Sequence, residues 1–262
     1  MRKREQVIYY HDEQNDEFAG DAIVAKRIDG SYRYVRDGFW GRCAHIFWYR
    51  IVAIPLAKCY MKLHFHHRVI GREVLRQAPG GYCMFGNHTH PLADALIPAL
   101  VNRPTDVYTI VHPNNVSMLV LGRITPYLGA MPLPDDAEAA KHFVRAVGQR
   151  ISQKHCIMIY PEAHIWPYYT GIRPFADTSF RYPVQYKVPV FCLTNTYQRR
   201  GAKKTPQIVT YIDGPFYADT KKSAGEQKRA LRDQVYAVMK ERAKQSNVEL
   251  IRYVRAEDDI VS

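Results

Sequence analysis

Gly86-Asn87-His88-Thr89-His90-Pro91-Leu92-Ala93-Asp94 sets two histidines and an aspartate within nine residues. A histidine followed closely by a carboxylate can form an oriented general base. The carboxylate accepts from one ring nitrogen, fixes the tautomer and stabilises the imidazolium formed when the other nitrogen takes a proton. The same residues admit a second chemistry, because His88-Thr89-His90 with Asp94 nearby is the start of a hydrolytic metal pair. They also admit a bland reading as unrelated surface groups. A second cluster, Tyr160-Pro161-Glu162-Ala163-His164-Ile165-Trp166-Pro167, puts a carboxylate directly after an apolar run. It reads as a strand-end acid or as a solvated loop acid.

Several elements must position these groups. Tyr82-Cys83-Met84-Phe85 is a short apolar run after Pro79-Gly80-Gly81, and Asp94 to Leu100 continues as a helix with Pro91 at its start. Val107–Val111, Cys156–Tyr160, Val188–Leu193 and Ile208–Ile212 read as further strands. Ala140, Phe143, Val144, Val147 and Ile151 share one helical face, with Asp135 as the expected cap and Glu138 three residues on. Leu231, Val235, Val238 and Met239 mark a last helix that starts near Ser223 and Glu226. Strands alternating with amphipathic helices predict an α/β layer structure, and strand ends are where such folds bind ligands. Both clusters fall at strand ends.

Before residue 64 the pattern differs. Asp29-Gly30 is a turn signal, and Ser31–Arg36 alternates like a strand, so a hairpin is expected. Phe39 to Leu63 is apolar nearly all round, punctuated by Arg42, Arg50, Lys58 and Lys62, with Pro55 as an expected kink or break. Its Trp, Phe, Tyr, Arg and Lys suit a membrane interface or a core helix pair. Residues 1–63 are therefore expected to form a hairpin and an interfacial segment, and residues 64–262 the α/β domain.

The 262 residues carry 37 basic and 25 acidic side chains, a net charge of +12 that favours an anionic partner. With 47% hydrophobic and 24% charged residues, the chain is neither disordered nor fibrous. Apolar runs stop short of a membrane span. The charged start Met1-Arg2-Lys3-Arg4-Glu5 lacks the apolar core of a secretory signal. The five scattered cysteines form no Cys-x-x-Cys pair, so neither a zinc site nor a disulfide framework is expected; Cys83, Cys156 and Cys192 read as buried. His64-Phe65-His66-His67 reads as exposed rather than metal-binding. Lys203-Lys204 and Lys221-Lys222 with Lys228, Arg229 and Arg232 read as a solvated charge run. No helix-turn-helix, RNA-binding aromatic motif or zinc finger supports nucleic-acid binding.

Four blocks in order, Asn87-His88 with Asp94, the expected loop Leu128–Pro134, Tyr160-Pro161-Glu162, and Val188-Pro189-Val190, resemble the signature blocks of the glycerolipid acyltransferase family. This is the PlsC type that includes 1-acylglycerol-3-phosphate acyltransferases. The lead-in Val69–Leu75 is similar too, and the likeness spans about residues 65–215. There are departures. Five residues rather than four separate His88 from Asp94, Ala163 stands for a glycine, and Ile165 and Pro134 stand where the family has basic residues.

The resemblance implies a mixed sheet flanked by helices, glycerol-3-phosphate acyltransferase-like. It also implies transfer of a fatty acyl group from acyl-CoA or acyl carrier protein to the hydroxyl of a lysophospholipid, lysophosphatidate by default. His88 is the implied base and Asp94 its partner. Asn87 and Glu162 are carried over as substrate-site residues, and Arg173 or Arg123 is expected to replace the missing phosphate contacts. Backbone N–H groups near the helix start are the expected oxyanion donors. No metal or cofactor is implied. A cytoplasmic protein peripherally associated with an anionic membrane is the expected setting. The competing readings are a metal-dependent hydrolase using His88, His90 and Asp94, and a basic nucleic-acid-binding protein.

Overall fold

The computed structural model describes residues 6–19 and 23–256. The start Met1–Glu5 and Gly20 lie outside them. In chain order the regular elements are β1 (Gln6–Tyr10), α1 (Phe39–His45), a π-helical stretch (Ile46–Ala53), α2 (Ile54–Phe65), β2 (Arg68–Ile70), β3 (Tyr82–Gly86), α3 (Ala93–Val101), β4 (Val107–Val111), α4 (Leu121–Ile124) and β5 (Ala130–Pro132). There follow α5 (Ala137–Ser152), β6 (Cys156–Ile159), α6 (Arg181–Tyr186), β7 (Val190–Gln198), β8 (Gln207–Phe216), α7 (Ala224–Ala243) and β9 (Ile251–Arg255).

The main sheet has seven strands in the order β2-β8-β7-β3-β6-β4-β5. All neighbours pair parallel except β7 with β8, so the sheet is mixed. Helices cover both faces, as parallel strands require. The alternation of β3 shows this. Cys83 and Phe85 join the core formed with α5 and α7, while Tyr82 and Met84 join the core formed with α2 and α3. This is the expected α/β architecture of the glycerol-3-phosphate acyltransferase-like kind. Cys83, Cys156 and Cys192 are fully buried, as expected.

Residues before 64 contribute to the same cores through Ile28, Tyr34 and Met61. Among the described residues the expected hairpin does not form. Asp29 and Gly30 do make a turn, with the Tyr32 N–H donating to Asp29 O at 3.0 Å. The following residues Ser31–Arg36 then pair with no strand, because Tyr34 turns inward to pack edge-on against Phe143 of α5 at 5.4 Å. The strand near the N-terminus is instead β1, which pairs in parallel with β9.

Nor does Pro55 break the helix. It stands where the π-helical stretch passes into α2, and the helix runs on through it. Just before it, the Ile54 N–H reaches back five residues to Tyr49 O, a widened turn. The continuous helix from 39 to 65 has two faces. Tyr49, Ile54, Ala57, Met61 and Phe65 are buried, whereas Phe39, Trp40, Phe47, Ile51, Leu56 and Leu63 are exposed. No helix among the described residues is long and apolar enough to cross a membrane.

Two local expectations shift by a residue or an element. The cap of α5 is Asp136, which accepts from the Ala139 N–H at 2.8 Å; Asp135 instead accepts from the Ile28 N–H at 2.6 Å. Ala130–Pro132, read as loop, is the edge strand β5, a position that tolerates Pro132. Ser223 and Glu226 form a reciprocal capping box on α7.

Candidate active site

The chain leaves β3 at Gly86 and returns as α3 at Ala93; the loop between holds His88, Thr89 and His90. A Cβ at Gly86 would meet Met158 Cε at 2.5 Å and Tyr160 Cε1 at 3.1 Å, so the methionine would have to shift to admit one. His88 Nδ1 lies 2.9 Å from Asp94 Oδ2. A carboxylate here only accepts, so Nδ1 carries the proton and Nε2 presents its lone pair. No group among the described residues hydrogen-bonds His88 Nε2. The imidazole is thus held in the tautomer a base requires, with its side chain 18% exposed.

Asp94 is itself fixed. It is 1% exposed. Its Oδ2 also accepts from the Thr89 N–H at 2.7 Å and the His90 N–H at 2.8 Å, and its Oδ1 accepts from Asn195 Nδ2 at 3.1 Å. The extra residue between His88 and Asp94 is accommodated by starting α3 after a turn at Pro91-Leu92. Pro91 therefore precedes the helix by two positions rather than opening it.

His90 has the opposite tautomer. Its Nδ1 accepts from the Leu92 and Ala93 N–H groups, both at 3.2 Å, so Nδ1 is unprotonated and caps α3. Burial holds the His90 pKa below the usual histidine value. The expected oxyanion donors are consequently spent: the N–H groups of Thr89 and His90 go to Asp94, and those of Leu92 and Ala93 to His90. Among the described residues no three His, Cys, Asp or Glu side chains converge as a metal site would need.

Asn87 and Glu162, expected as substrate-site residues, are both buried behind His88. Asn87 is 1% exposed and exchanges two hydrogen bonds with the backbone of Asn195, tying β3 to β7. Glu162 accepts from the His88 N–H at 3.0 Å and from the Arg173 N–H at 3.0 Å. Burial pushes its carboxyl pKa up, against the pull of the Arg173 guanidinium 3.5 Å away.

Arg173 corrects the sequence expectation outright. Its side chain has no exposed surface, so no phosphate can reach it. Nη1 donates to Glu13 O and Nη2 to His164 O, Nη2 lies 3.5 Å from Glu162 Oε2, Nε has no partner among the described residues, and the guanidinium lies 4.9 Å over the Trp166 ring. Arg123 is exposed on α4, in the crossover between β4 and β5.

The loop after β6 closes on the loop after β3. The Trp166 N–H donates to His88 O at 3.2 Å, and the Tyr168 N–H to Thr89 O at 2.8 Å. Ala163 has φ 64°, in the left-handed region that a glycine adopts without strain.

Two residues to which the sequence reading gave no role join His88 and Asp94. Tyr160 stacks on the His88 ring at 4.4 Å and donates to Asp94 O at 2.5 Å. Asn195 sits inside the buried strand β7, and the polar run Thr194-Asn195-Thr196 within that strand was the available signal. In the run His64–His67, His64 and His66 are exposed as expected, whereas His67 is half-buried: it bonds Thr210 Oγ1 at 2.8 Å, and burial takes its pKa down to about 4.

Beside α3, an apolar cavity of about 170 Å3 runs between Ala53, Ile54 and Ala57 of the long helix, Leu96 and Ala99 of α3, and Leu128.

No family model matches the chain, and no curated protein matches it in sequence. Among solved structures it is similar to the 1-acyl-sn-glycerophosphate (LPA) acyltransferase PlsC of Thermotoga maritima, with a TM-score of 0.54 at 16% identity. The match covers 76% of this chain and 82% of that one. At that identity the likeness establishes the shared fold.

Proposed function

We propose that the protein is an O-acyltransferase that moves a fatty acyl group from a thioester donor, acyl-CoA or acyl carrier protein, to the hydroxyl of a lysophospholipid. The observation that carries this reading is the tautomer of His88. Its protonated Nδ1 faces Asp94 and its Nε2 is unengaged, on a fold shared with a lysophosphatidate acyltransferase. A thioester is already activated, so no protein nucleophile is needed. His88 Nε2 takes the proton from the acceptor hydroxyl as its oxygen attacks the carbonyl carbon. The resulting imidazolium is stabilised by Asp94, and the proton leaves with the thiol when the C–S bond breaks. Such general-base help is worth about 10²–10⁴-fold.

The apolar cavity beside α3 suits part of an acyl chain. The outer stripe of the long helix, with Trp40 at 82% and Ile51 at 60% exposure, suits a bilayer interface, and peripheral attachment at the cytoplasmic side fits the excess of basic residues. With Arg173 buried, Arg123 is the remaining proposed contact for an acceptor phosphate.

The test is purified protein with both donor types and a panel of lyso-acceptors. Thiol release matched one-to-one by acylated product supports the reading. Thiol release without any acceptor product makes the protein a thioester hydrolase instead.

A further inference from the structure

The larger cavity does not border His88. It holds about 310 Å3 and lies where the chain enters β4 and β6, at the sheet edge opposite the end of β3. Arg36, Arg42, Arg50 and Arg150 line it, against Asp37 and Asp106. Four guanidiniums thus face two carboxylates, and the carboxylates are engaged. Asp106 takes both Nε and Nη2 of Arg50, at 3.2 and 2.8 Å, and His45 Nε2 at 3.3 Å. Burial alone would raise the Asp106 pKa, yet these bonds hold it at about 2, so it is ionised at neutral pH. Asp37 takes Arg150 Nη1 at 2.7 Å.

Arg36 and Arg42 form no ion pair among the described residues. The Arg36 guanidinium is held over the Tyr32 and Tyr127 rings at 5.3 and 6.0 Å. A concave wall with surplus positive charge concentrates anions, and guanidinium forks match phosphate oxygens. We propose that this cavity is an anion site that takes a phosphate group, separate from the centre at His88.

Its rim favours a lipid as the source of that phosphate. Gly41, Arg42, His45, Ile46 and Arg50 of the lining belong to the long helix, whose neighbouring Phe39 and Trp40 are 73% and 82% exposed. Aromatic side chains that enter a bilayer interface there bring the cavity mouth to headgroup depth. This site is independent of the acyl-transfer reading, since it concerns binding at the other sheet edge.

The test uses the full-length Arg36→Ala/Arg42→Ala protein beside a control, Lys221→Ala/Lys222→Ala, which removes equal charge from an exposed loop. Binding to phosphatidylglycerol and phosphatidylcholine vesicles is measured by flotation, and binding of inorganic phosphate by calorimetry, after thermal melts have shown both variants folded. Loss of a charge-assisted contact predicts about tenfold or greater weakening for the arginine variant on anionic vesicles, with the control within about twofold of wild type. Saturable phosphate binding lost only in the arginine variant also supports the site, and without a vesicle effect it assigns a soluble phosphate as the source. Equal weakening in both variants would reduce the effect to diffuse charge attraction and overturn the site. So would unchanged vesicle binding together with no phosphate saturation.

Discussion

Asn195 donates its side-chain amide to Asp94 Oδ1 at 3.1 Å, from a strand far along the chain to the partner of the candidate base. Its own Oδ1 accepts from Thr210 Oγ1 at 2.6 Å, so the amide cannot flip without losing both bonds. Asp94, and through it His88, is therefore oriented from two directions, by its own loop and by β7 with β8 behind it.

Asn195→Ala should lower kcat by about tenfold, the scale of one hydrogen bond to a charged group, with little change in KM because Asn195 is buried away from the substrate. Steady-state kinetics read out this split. A proportionate rise in KM with unchanged kcat would remove Asn195 from the positioning of the base.

Glu162 and Arg173 should behave as a buried pair. Glu162→Ala leaves the Arg173 guanidinium without its carboxylate, which costs about 3–5 kcal/mol. Arg173→Ala should be similarly destabilising instead of selectively weakening an acceptor. Denaturant unfolding measures this, and the double variant Glu162→Gln/Arg173→Met should recover much of the loss. An Arg173→Ala protein of wild-type stability with a raised acceptor KM would restore the phosphate role.

Half-buried histidines, among them His67, His90 and His155, contribute a pH dependence. Burial lowers the pKa of His67 from 6.5 to about 4 and lowers that of His90 as well. The unfolded chain then binds protons more readily than the folded one. Stability is fully present above about pH 6.5 and is lost as pH falls towards the folded values. Thermal melts should be flat above pH 6.5 with respect to these groups and decline between 6.5 and 4. His67→Gln should flatten part of that decline, and an identical slope in the variant would assign it elsewhere.

The short apolar runs that became β3, β4 and β6 were legible because strands buried on both faces need unbroken apolar residues. Cys83-Met84-Phe85 is such a run. The His88–Asp94 pair was legible because it is local and sits between a strand and a helix. Long-range pairings were not. β1 and β9 join opposite ends of the chain, and nothing in either sequence names its partner. Alternation misled at Ser31–Arg36, where Tyr34 is anchored by a ring contact rather than by a ladder. Arg173 misled for a related reason. Sequence supplies its charge, but only the packing of Trp166 and Glu162 around it shows that the charge is enclosed.

His88 and His90 provide the most direct test, because the two rings lie in one loop with opposite tautomers and different duties. Acyl transfer from a long-chain acyl thioester to a lyso-acceptor should be followed in wild type, His88→Ala and His90→Ala, with thermal melts of each. The structure predicts that His88→Ala loses about 10²–10⁴-fold in kcat while remaining folded. His90→Ala, having lost the cap of α3, should be destabilised by about 1 kcal/mol and retain far more activity. A His90→Ala protein as inactive as His88→Ala at wild-type stability, or a His88→Ala protein that still transfers acyl groups at the wild-type rate, would contradict the assignment of His88 as the base.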